Sequence, residues 1–160
     1  MHENAQLIQK FYSCFQAREA AGMSACYHPE AIFSDPVFGR LEGQQVAAMW
    51  QMLCSRAQDL EINFNDIHAN AEAGTAHWEA LYTFSKTGRP VHNVIDAAFT
   101  FREGRILRHI DTFNLWKWTR MALGPAGLFL GWTPILQTAI RKDARRSLEA
   151  FVEKHSALHR

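Results

Sequence analysis

Two short polar motifs lie in the stretch from residue 76 to residue 113. His77 and Glu79 are two residues apart, and His109 and Asp111 repeat that spacing. Because successive side chains of a β-strand point to opposite faces, each pair shares one face. Imidazole and carboxyl groups in an apolar pocket have pKa values that burial and neighbouring charges can tune for proton transfer. The spacing therefore predicts acid–base chemistry on one face of a sheet, with Asp111 as the first candidate.

The elements that must position these pairs are three consecutive strands, predicted over 76–84, 91–101 and 105–113. Each is rich in apolar and aromatic residues, and turns containing Gly88 and Gly104 separate them. Strands joined by such short turns pair antiparallel. The sequence therefore predicts an antiparallel meander with a pocket on its concave side.

The two faces of strand 76–84 compete for the interior of the protein. His77 and Glu79 lie on one face. The other face is at least as apolar and carries Trp78, Ala80, Tyr82 and Phe84. The pattern leaves open which face lines the pocket, and the polar face could instead meet solvent or a second subunit.

Helices precede this meander. The elements predicted before it are a helix over 4–19, a helical turn over 23–27, a short strand over 31–33, a loop over 39–43, a helix over 44–56 and a strand over 60–65. Helices followed by a run of strands are typical of an α+β fold, with the helices on one face of the sheet.

Asp35 follows the short strand and precedes Pro36. An aspartate before proline commonly forms a turn after a strand, which is a purely structural role. Its apolar neighbours Val37 and Phe38 favour a position beside a ligand pocket. Both roles stay open for Asp35, just as Asp111 could be a general acid or base or a structural carboxylate.

The C-terminal segment is apolar first and helical afterwards. Residues 123–132 form a glycine-rich apolar linker, and a helix is predicted over 134–155 with Ile140, Leu148 and Phe151 facing inward. Burying each large apolar side chain gains roughly 1.5–3 kcal/mol, so we expect the linker to be covered by the mouth of the fold or by a partner. Static packing, a moving lid and a membrane-surface role are the three alternatives for this segment.

Composition excludes several classes of protein. The chain has 160 residues and a net charge of +1, which fits one globular domain and gives no electrostatic footprint for nucleic acid. The basic cluster within 141–146 is interpreted as a solvated helix face. Three scattered cysteines, no signal-peptide pattern and no long apolar run indicate a cytoplasmic protein for which membrane association is not expected.

Three local strings, in this order and spacing, resemble the nuclear transport factor 2-like superfamily. They are Ala31-Ile32-Phe33-Ser34-Asp35-Pro36, Leu41-Glu42-Gly43-Gln44-Gln45-Val46 and the stretch from Phe99 through Gly104 to Phe113. The superfamily includes ketosteroid isomerases, SnoaL-type polyketide cyclases and limonene epoxide hydrolase. The resemblance covers about residues 5–118. It implies a cone-shaped fold, in which a strongly curved, mainly antiparallel sheet packs on N-terminal helices around a pocket.

The resemblance also implies roles for individual residues. Asp35 lies where the isomerases have their catalytic base. Asp111, seven residues after Gly104, matches the catalytic aspartate of the cyclases and the epoxide hydrolase. His77-Trp78-Glu79 falls where the hydrolase has an arginine-any-aspartate motif, with histidine in place of arginine.

The oxyanion hole of the isomerases is not matched. Phe11 occupies the position of their tyrosine, Tyr12 is one position away, and Ala97 aligns with their second aspartate, beside Asp96. Steroid isomerase activity is therefore not expected. The aromatic residues predicted to line the pocket are Tyr12, Trp50, Phe113 and Trp116.

We therefore predict an α+β cone domain over 1–118, with a C-terminal extension over 119–160 packed on it. Its function would be to bind an apolar or polycyclic small molecule, either as an isomerase-, cyclase- or epoxide hydrolase-type enzyme or as a non-catalytic binding or interaction module. The predicted catalytic residues are Asp111, Asp35, Glu79, His77 and His109. The outer sheet face is predicted to form a homodimer.

Histidines on three adjacent strands could in principle meet at a metal ion. His77, His92 and His109 would have to share a face and a register to do so. We expect no metal and no cofactor.

Overall fold

Six β-strands form one sheet in the computed structural model, which describes residues 1–56 and 58–158. Residues 159 and 160, part of the predicted extension 119–160, lie outside the described residues. The strands are β1 (Tyr27–Asp35), β2 (Gly39–Glu42), β3 (Glu61–Ala69), β4 (Ala73–Phe84), β5 (Arg89–Arg102) and β6 (Arg105–Thr112). The helices are α1 (Glu3–Gln16), α2 (Ala20–Ala25), α3 (Gln44–Arg56), α4 (Leu115–Leu123), α5 (Pro125–Leu130) and α6 (Pro134–Leu158).

The sheet has the order β2-β1-β6-β5-β4-β3, and every neighbouring pair is antiparallel except the parallel pair β1–β6. The predicted antiparallel meander is therefore confirmed as β4, β5 and β6, and the α+β class is confirmed with it. Register shifts interrupt the pairings β1–β6, β3–β4 and β5–β6. Such bulges bend strands and increase their twist, which curves the sheet around its inner face.

The strand predicted over 31–33 is longer than its sequence indicates. Pro29 is followed by a shift of register between β1 and β6, where its missing N–H breaks no ladder bond. The predicted loop over 39–43 is the edge strand β2, which pairs with the end of β1. The length of β1 depends on its pairing with β6, which is distant in sequence, and the strand conformation of β2 depends on its pairing with β1.

Alternation of burial along β5 fixes the two faces of the sheet. Val91, Asn93, Ile95, Ala97 and Phe99 are buried, and the intervening residues are exposed. The inner face packs against α1 and α3, whose apolar stripes include Phe11, Phe15 and Trp50. The core therefore lies between the N-terminal helices and the concave face.

Helix α4 packs on the first residues of β5. Leu115, Trp118 and Ala122 form a second buried cluster with Val91. Gly124, whose φ of 66° suits glycine, lets the chain reverse into α5. The division predicted at 118/119 falls inside α4.

Helix α6 covers the open end of the fold. Leu148 and Phe151 are buried as predicted. Arg141 Nε donates to the carbonyl oxygen of Pro36 at 3.0 Å, and an Arg145 guanidinium nitrogen donates to that of Arg40 at 2.7 Å. Two members of the basic cluster thus fasten α6 to the β1–β2 turn, although the sequence predicted only a solvated face.

The apolar segment 123–132 does not cover the mouth of the fold, which was one of the two positions predicted for it. Leu128, Phe129, Leu130 and Trp132 are exposed. Helix α6 already fills the position over the mouth, and α5 packs on α4 through its glycine side. Coverage of the segment by a partner stays a prediction.

No helix within residues 1–56 and 58–158 combines the length and the hydropathy needed to cross a bilayer.

Candidate functional site

A cavity of about 480 Å³ lies between the inner face of the sheet, α3, α4 and α6. Its walls are mainly apolar and aromatic, and α6 contributes Leu136, Ala139 and Ile140. Other lining residues include Phe33, Met49, Trp50, Ile95, Phe113 and Trp118. This volume and this lining are typical of a small-molecule site.

Asp111 is the polar centre of this cavity. It lies near the end of β6, 4 % exposed, and it lines the cavity. Its Oδ1 atom accepts hydrogen bonds from Trp78 Nε1 at 3.2 Å and from His109 Nε2 at 2.9 Å. Both contacts follow from strand geometry, since Trp78 and Asp111 lie on the inner faces of β4 and β6. The second carboxylate oxygen, Oδ2, is left for a ligand.

A buried chain of hydrogen bonds fixes the proton on His109. Trp50 Nε1 donates to the Tyr27 hydroxyl oxygen at 3.0 Å, and that hydroxyl lies 2.6 Å from His109 Nδ1. The Tyr27 O–H group therefore donates to Nδ1, which is its remaining partner. With Nδ1 as the acceptor of this bond, Nε2 is the ring nitrogen that donates to Asp111 Oδ1. Oδ1 of Asp111 is thus occupied as an acceptor, and Oδ2 makes no hydrogen bond with the described residues.

Asp35 is a second carboxyl group of the cavity, and a third, Asp143 on α6, is paired with Lys86. Its Oδ1 atom accepts from the backbone N–H groups of Val37 at 2.9 Å and Phe38 at 2.6 Å, which forms the turn expected of an Asp-Pro sequence. Burial and, to a smaller extent, the negative charge of Asp111 raise the pKa of Asp35 from 3.8 to about 7, although the two backbone hydrogen bonds oppose the rise. Asp35 can therefore gain or lose a proton near neutral pH, whereas the backbone holds its position.

Several other polar residues line the cavity and were not predicted as site residues, and two of them, Asn93 and Tyr82, lie on the inner faces of β5 and β4. Asn93 is buried on β5, and its side-chain amide has no hydrogen-bond partner within the part of the chain that the structure describes. The Tyr82 hydroxyl accepts from Trp118 Nε1 at 2.9 Å, which leaves its own proton for a ligand. Burial raises the pKa of Tyr82, and the charge of Asp35 adds to the rise, so the hydroxyl stays a donor.

The sequence contains a signal for both groups. Tyr82 and Asn93 follow the period-two alternation that also brings Trp78 and Ile95 to the inner face. Because tyrosine and asparagine are common in ordinary strands, the alternation alone does not single them out.

His77 and Glu79 do not join Asp111, contrary to the prediction. They lie on the outer face of β4, where His77 Nδ1 is 3.0 Å from Asp96 and Glu79 accepts from His92 Nε2 at 2.7 Å. The physical reason is that the large apolar side chains of the alternate face, Trp78 among them, gain more from burial than a polar pair does.

The three histidines likewise do not meet. His77 and His92 lie on the outer face and His109 on the inner one. Within residues 1–56 and 58–158, no group of three histidine, cysteine, aspartate or glutamate side chains is arranged to hold a metal ion.

Among the predicted lining residues, Trp50 and Phe113 line the cavity, and the other two do not. Trp116 is on the outer side of α4, where its Nε1 donates to the carbonyl of Leu128 at 3.2 Å, and Trp118 takes the inward position. Helix α4 begins at Leu115, so the directions of the Trp116 and Trp118 side chains follow helical spacing and not the alternation of a strand. Tyr12 is fully buried behind Trp78, with the ring centroids 5.8 Å apart.

The buried hydroxyl of Tyr12 has no hydrogen-bond partner among the described residues. Leaving a buried polar group unpaired costs roughly 1–3 kcal/mol. Tyr12→Phe should therefore raise the free energy of unfolding by about 1 kcal/mol, measured by urea denaturation.

The matched control is Tyr27→Phe, which removes a hydroxyl bonded to both Trp50 and His109. It should lower the free energy of unfolding by about 1–3 kcal/mol, because two buried groups lose their partner. Equal destabilisation by both variants would mean that Tyr12 has a partner in solution.

Comparisons with known proteins agree with this architecture. The family model for the SnoaL-like domain matches residues 8–109. A search of curated proteins gave no match. Among solved structures, a LEH-like epoxide hydrolase of M. tuberculosis aligns with a TM-score of 0.62 at 17% identity, over 84% of this chain and 95% of that one.

Two other solved structures have the same fold. A protein from Catenulispora acidiphila with a ketosteroid isomerase-like fold, in complex with trimethylamine, aligns with a TM-score of 0.66 at 12% identity, over 80% of this chain and 97% of that one. A protein from Xanthomonas campestris pv. campestris, provisionally assigned as a polyketide cyclase, aligns with a TM-score of 0.62 at 19% identity, over 74% and 96%. At these identities the structures share the fold, and it is the match of the family model over most of the chain that shows the family: this chain belongs to the SnoaL-like domain family.

Proposed function

We propose that this protein is an acid–base enzyme that moves a proton on a small apolar substrate with a carbonyl group. One observation carries the proposal: two carboxyl groups with different surroundings, Asp111 and Asp35, line the same apolar cavity. Pairs of titratable groups held in different protonation states are how enzymes run acid and base chemistry at one pH.

In this proposal Asp111 is the general base. Its Oδ2 atom takes a proton from a carbon next to the carbonyl group, and the electron pair of the broken C–H bond moves to the carbonyl oxygen. The neutral tautomer of His109 and the indole N–H of Trp78 hold Oδ1 in place throughout. Because these donors are already oriented, little reorganisation accompanies the proton transfer.

Asp35 is the matching general acid. With a pKa raised to about 7, a large fraction of Asp35 is protonated at neutral pH and can donate to the developing enolate oxygen. Return of a proton to a different carbon gives isomerisation. Attack of the enol carbon on a second carbonyl gives an aldol-type cyclisation.

Asn93 and Tyr82 are suited to orient the substrate. Each brings a hydrogen-bond donor into a mainly apolar lining. A few polar groups in such a cavity fix the orientation of a ligand whose remaining surface is buried by apolar contact.

Epoxide hydration is the less favoured reaction. The residues matched to the arginine and aspartate of the hydrolase motif, His77 and Glu79, lie on the outer face of β4. At the corresponding inner positions the cavity has Trp78 and Ala80, which cannot activate water or protonate an epoxide.

The test is solvent-proton exchange. The wild-type protein is incubated in D₂O with a panel of aryl and polycyclic ketones, and deuterium uptake is followed by mass spectrometry. We expect uptake above the uncatalysed rate for the ketones that bind. Binding without any exchange would support the alternative, a non-catalytic ligand-binding module.

We also propose that two copies pair through the outer sheet face. That face is not covered by a helix in the described part of the chain, and it exposes Val94 and Ile110 beside the hydrogen-bonded pairs His77–Asp96 and His92–Glu79. Sedimentation at micromolar concentration should give a species of twice 18.3 kDa. A monomer at that concentration would contradict this pairing.

A cytoplasmic location is part of the same proposal. Cys14, Cys26 and Cys54 are all free thiols, as is usual in a reducing compartment. Alkylation of the three cysteines in freshly lysed cells, followed by mass spectrometry, tests their redox state.

A further inference from the structure

A patch of large apolar side chains projects from α5 and the start of α6. We call it the apolar tip, and it consists of Leu128, Phe129, Leu130, Trp132 and Ile135. Four of its members are more than half exposed: Phe129 at 70%, Leu130 at 53%, Trp132 at 65% and Ile135 at 85%. A contiguous exposed patch of this kind is typical of a surface that binds a partner or a membrane.

The backbone beneath the tip is firmly packed. A Cβ atom on Gly127 would lie 1.9 Å from the carbonyl oxygen of Thr119, so only glycine allows α5 to approach α4 this closely. Trp132 Nε1 donates to the carbonyl of Phe129 at 3.0 Å. The tip is therefore presented outward by an ordered helical hairpin and does not result from a loose segment.

A cationic cleft of about 590 Å³ adjoins the apolar tip and shares Leu128 and Phe129 with it. Its charged residues are Arg89, Lys117 and Arg120, and none of them pairs with a carboxylate in residues 1–56 and 58–158. The sequence contains no aspartate or glutamate between Asp111 and Asp143. The residues that line the cleft are therefore cationic or apolar, with no carboxylate among them.

We propose that the apolar tip and the cationic cleft together dock the protein on an anionic lipid bilayer. The tip would enter the boundary between headgroups and acyl chains, and the three cations would contact lipid phosphates. Aromatic side chains flanked by lysine and arginine are the combination that favours this depth of a bilayer. Trp132 also suits the boundary between headgroups and acyl chains, because the tryptophan ring is apolar and its N–H group is polar.

Charge favours a bilayer over a second copy of the chain. A symmetric pair of tips would bring two sets of the cations Arg89, Lys117 and Arg120 together without any carboxylate to balance them. An anionic lipid surface supplies the opposite charge over the whole patch. The docking does not depend on the proposed enzyme activity.

Docking would also bring the cavity close to the lipid. Leu136, the residue after Ile135, lines the cavity from α6. An apolar ligand dissolved in the bilayer would then reach the α6 side of the cavity over a short distance.

The experiment is flotation of the full-length protein with vesicles of phosphatidylcholine alone or of equal parts phosphatidylcholine and phosphatidylglycerol. We expect binding to the anionic vesicles. Phe129→Asp should lower the partition coefficient tenfold or more, because the charge opposes insertion, and Lys117→Glu should lower it about fivefold or more. Both positions are exposed, so thermal melting should be unchanged.

Matched controls lie on the same chain. Val152→Asp places a charge on an exposed apolar residue outside the tip, and Lys154→Glu reverses an exposed charge outside the cleft. Both should bind the anionic vesicles as the wild type does. A blue shift of tryptophan fluorescence on binding that Trp132→Phe diminishes would support insertion of the tip.

Several results would overturn the proposal. These are no flotation with anionic vesicles, equal flotation with phosphatidylcholine alone, and unchanged flotation of Phe129→Asp. Dissociation of a wild-type oligomer by Phe129→Asp would show that the tip is covered by a second copy instead.

Discussion

Asp111→Asn should lower the rate of deuterium exchange into a bound ketone by on the order of 10²–10⁴-fold, the usual contribution of a general base. The amide oxygen of asparagine can still accept from Trp78 and His109 at the position of Oδ1. Only the proton-accepting oxygen Oδ2 is replaced, by an amide nitrogen. The cavity should therefore keep its shape and still bind the ketone, and exchange alone should fail.

The control is Asp96→Asn, which changes an aspartate on the outer face of β5. It should leave the exchange rate unchanged. Quenching of intrinsic tryptophan fluorescence measures how tightly Asp111→Asn binds the ketone. This measurement separates loss of chemistry from loss of binding. Exchange at the wild-type rate in Asp111→Asn would contradict the role of Asp111 as base.

The sequence places Asp111 in its environment through local rules alone. Period-two alternation puts His109 and Asp111 on one face of β6, and short turns order β4, β5 and β6 in the sheet. Both features depend on near neighbours in the chain. They could therefore be predicted without knowing what covers the sheet.

The hydrogen-bond chain behind Asp111 could not be predicted in the same way. Tyr27 reaches His109 only because β1 pairs parallel to β6, a contact between distant parts of the sequence. Trp50 joins the chain from α3, whose packing on the sheet has no local signature. The tautomer of His109 thus depends on tertiary contacts.

The orientation of a strand is hard to predict from sequence when both of its faces carry residues that could be buried. Strand β4 has an apolar face and a polar face, and the pattern alone does not decide which one lines a ligand cavity. The structure puts Trp78 inside and His77 outside, since the aromatic side chain has more surface to bury. Phe129 would also gain free energy from burial, but it stays exposed because α6 occupies the site that could have covered it.

Asp35→Asn should remove one component of the pH dependence of stability between pH 5 and pH 8, the decrease with rising pH that this buried carboxyl group causes. Burial raises the pKa of Asp35 from 3.8 to about 7, so over this range the folded protein holds a proton that the unfolded chain has lost. A state that binds more protons is destabilised as pH rises, so the free energy of unfolding of the wild type relative to that of Asp35→Asn should fall between pH 5 and pH 8 and level off above the folded-state pKa. The Asp35 contribution to this fall is on the order of 2 kcal/mol.

Asparagine isolates this contribution because it preserves the turn. Its side-chain oxygen can accept from the backbone N–H groups of Val37 and Phe38, as Oδ1 of Asp35 does. The variant should match or exceed the wild type in stability at pH 8, where the wild type must hold a buried carboxylate, and lose that advantage at pH 5.

Urea denaturation of wild type, Asp35→Asn and the outer-face variant Asp96→Asn at both pH values measures the difference. If wild type and Asp35→Asn change in parallel, then Asp35 titrates in the range of an ordinary aspartate and cannot act as a proton donor at neutral pH. A fall confined to the two chains that retain Asp35 would mean that this carboxyl group is held ready to donate a proton at the expense of the stability of the fold.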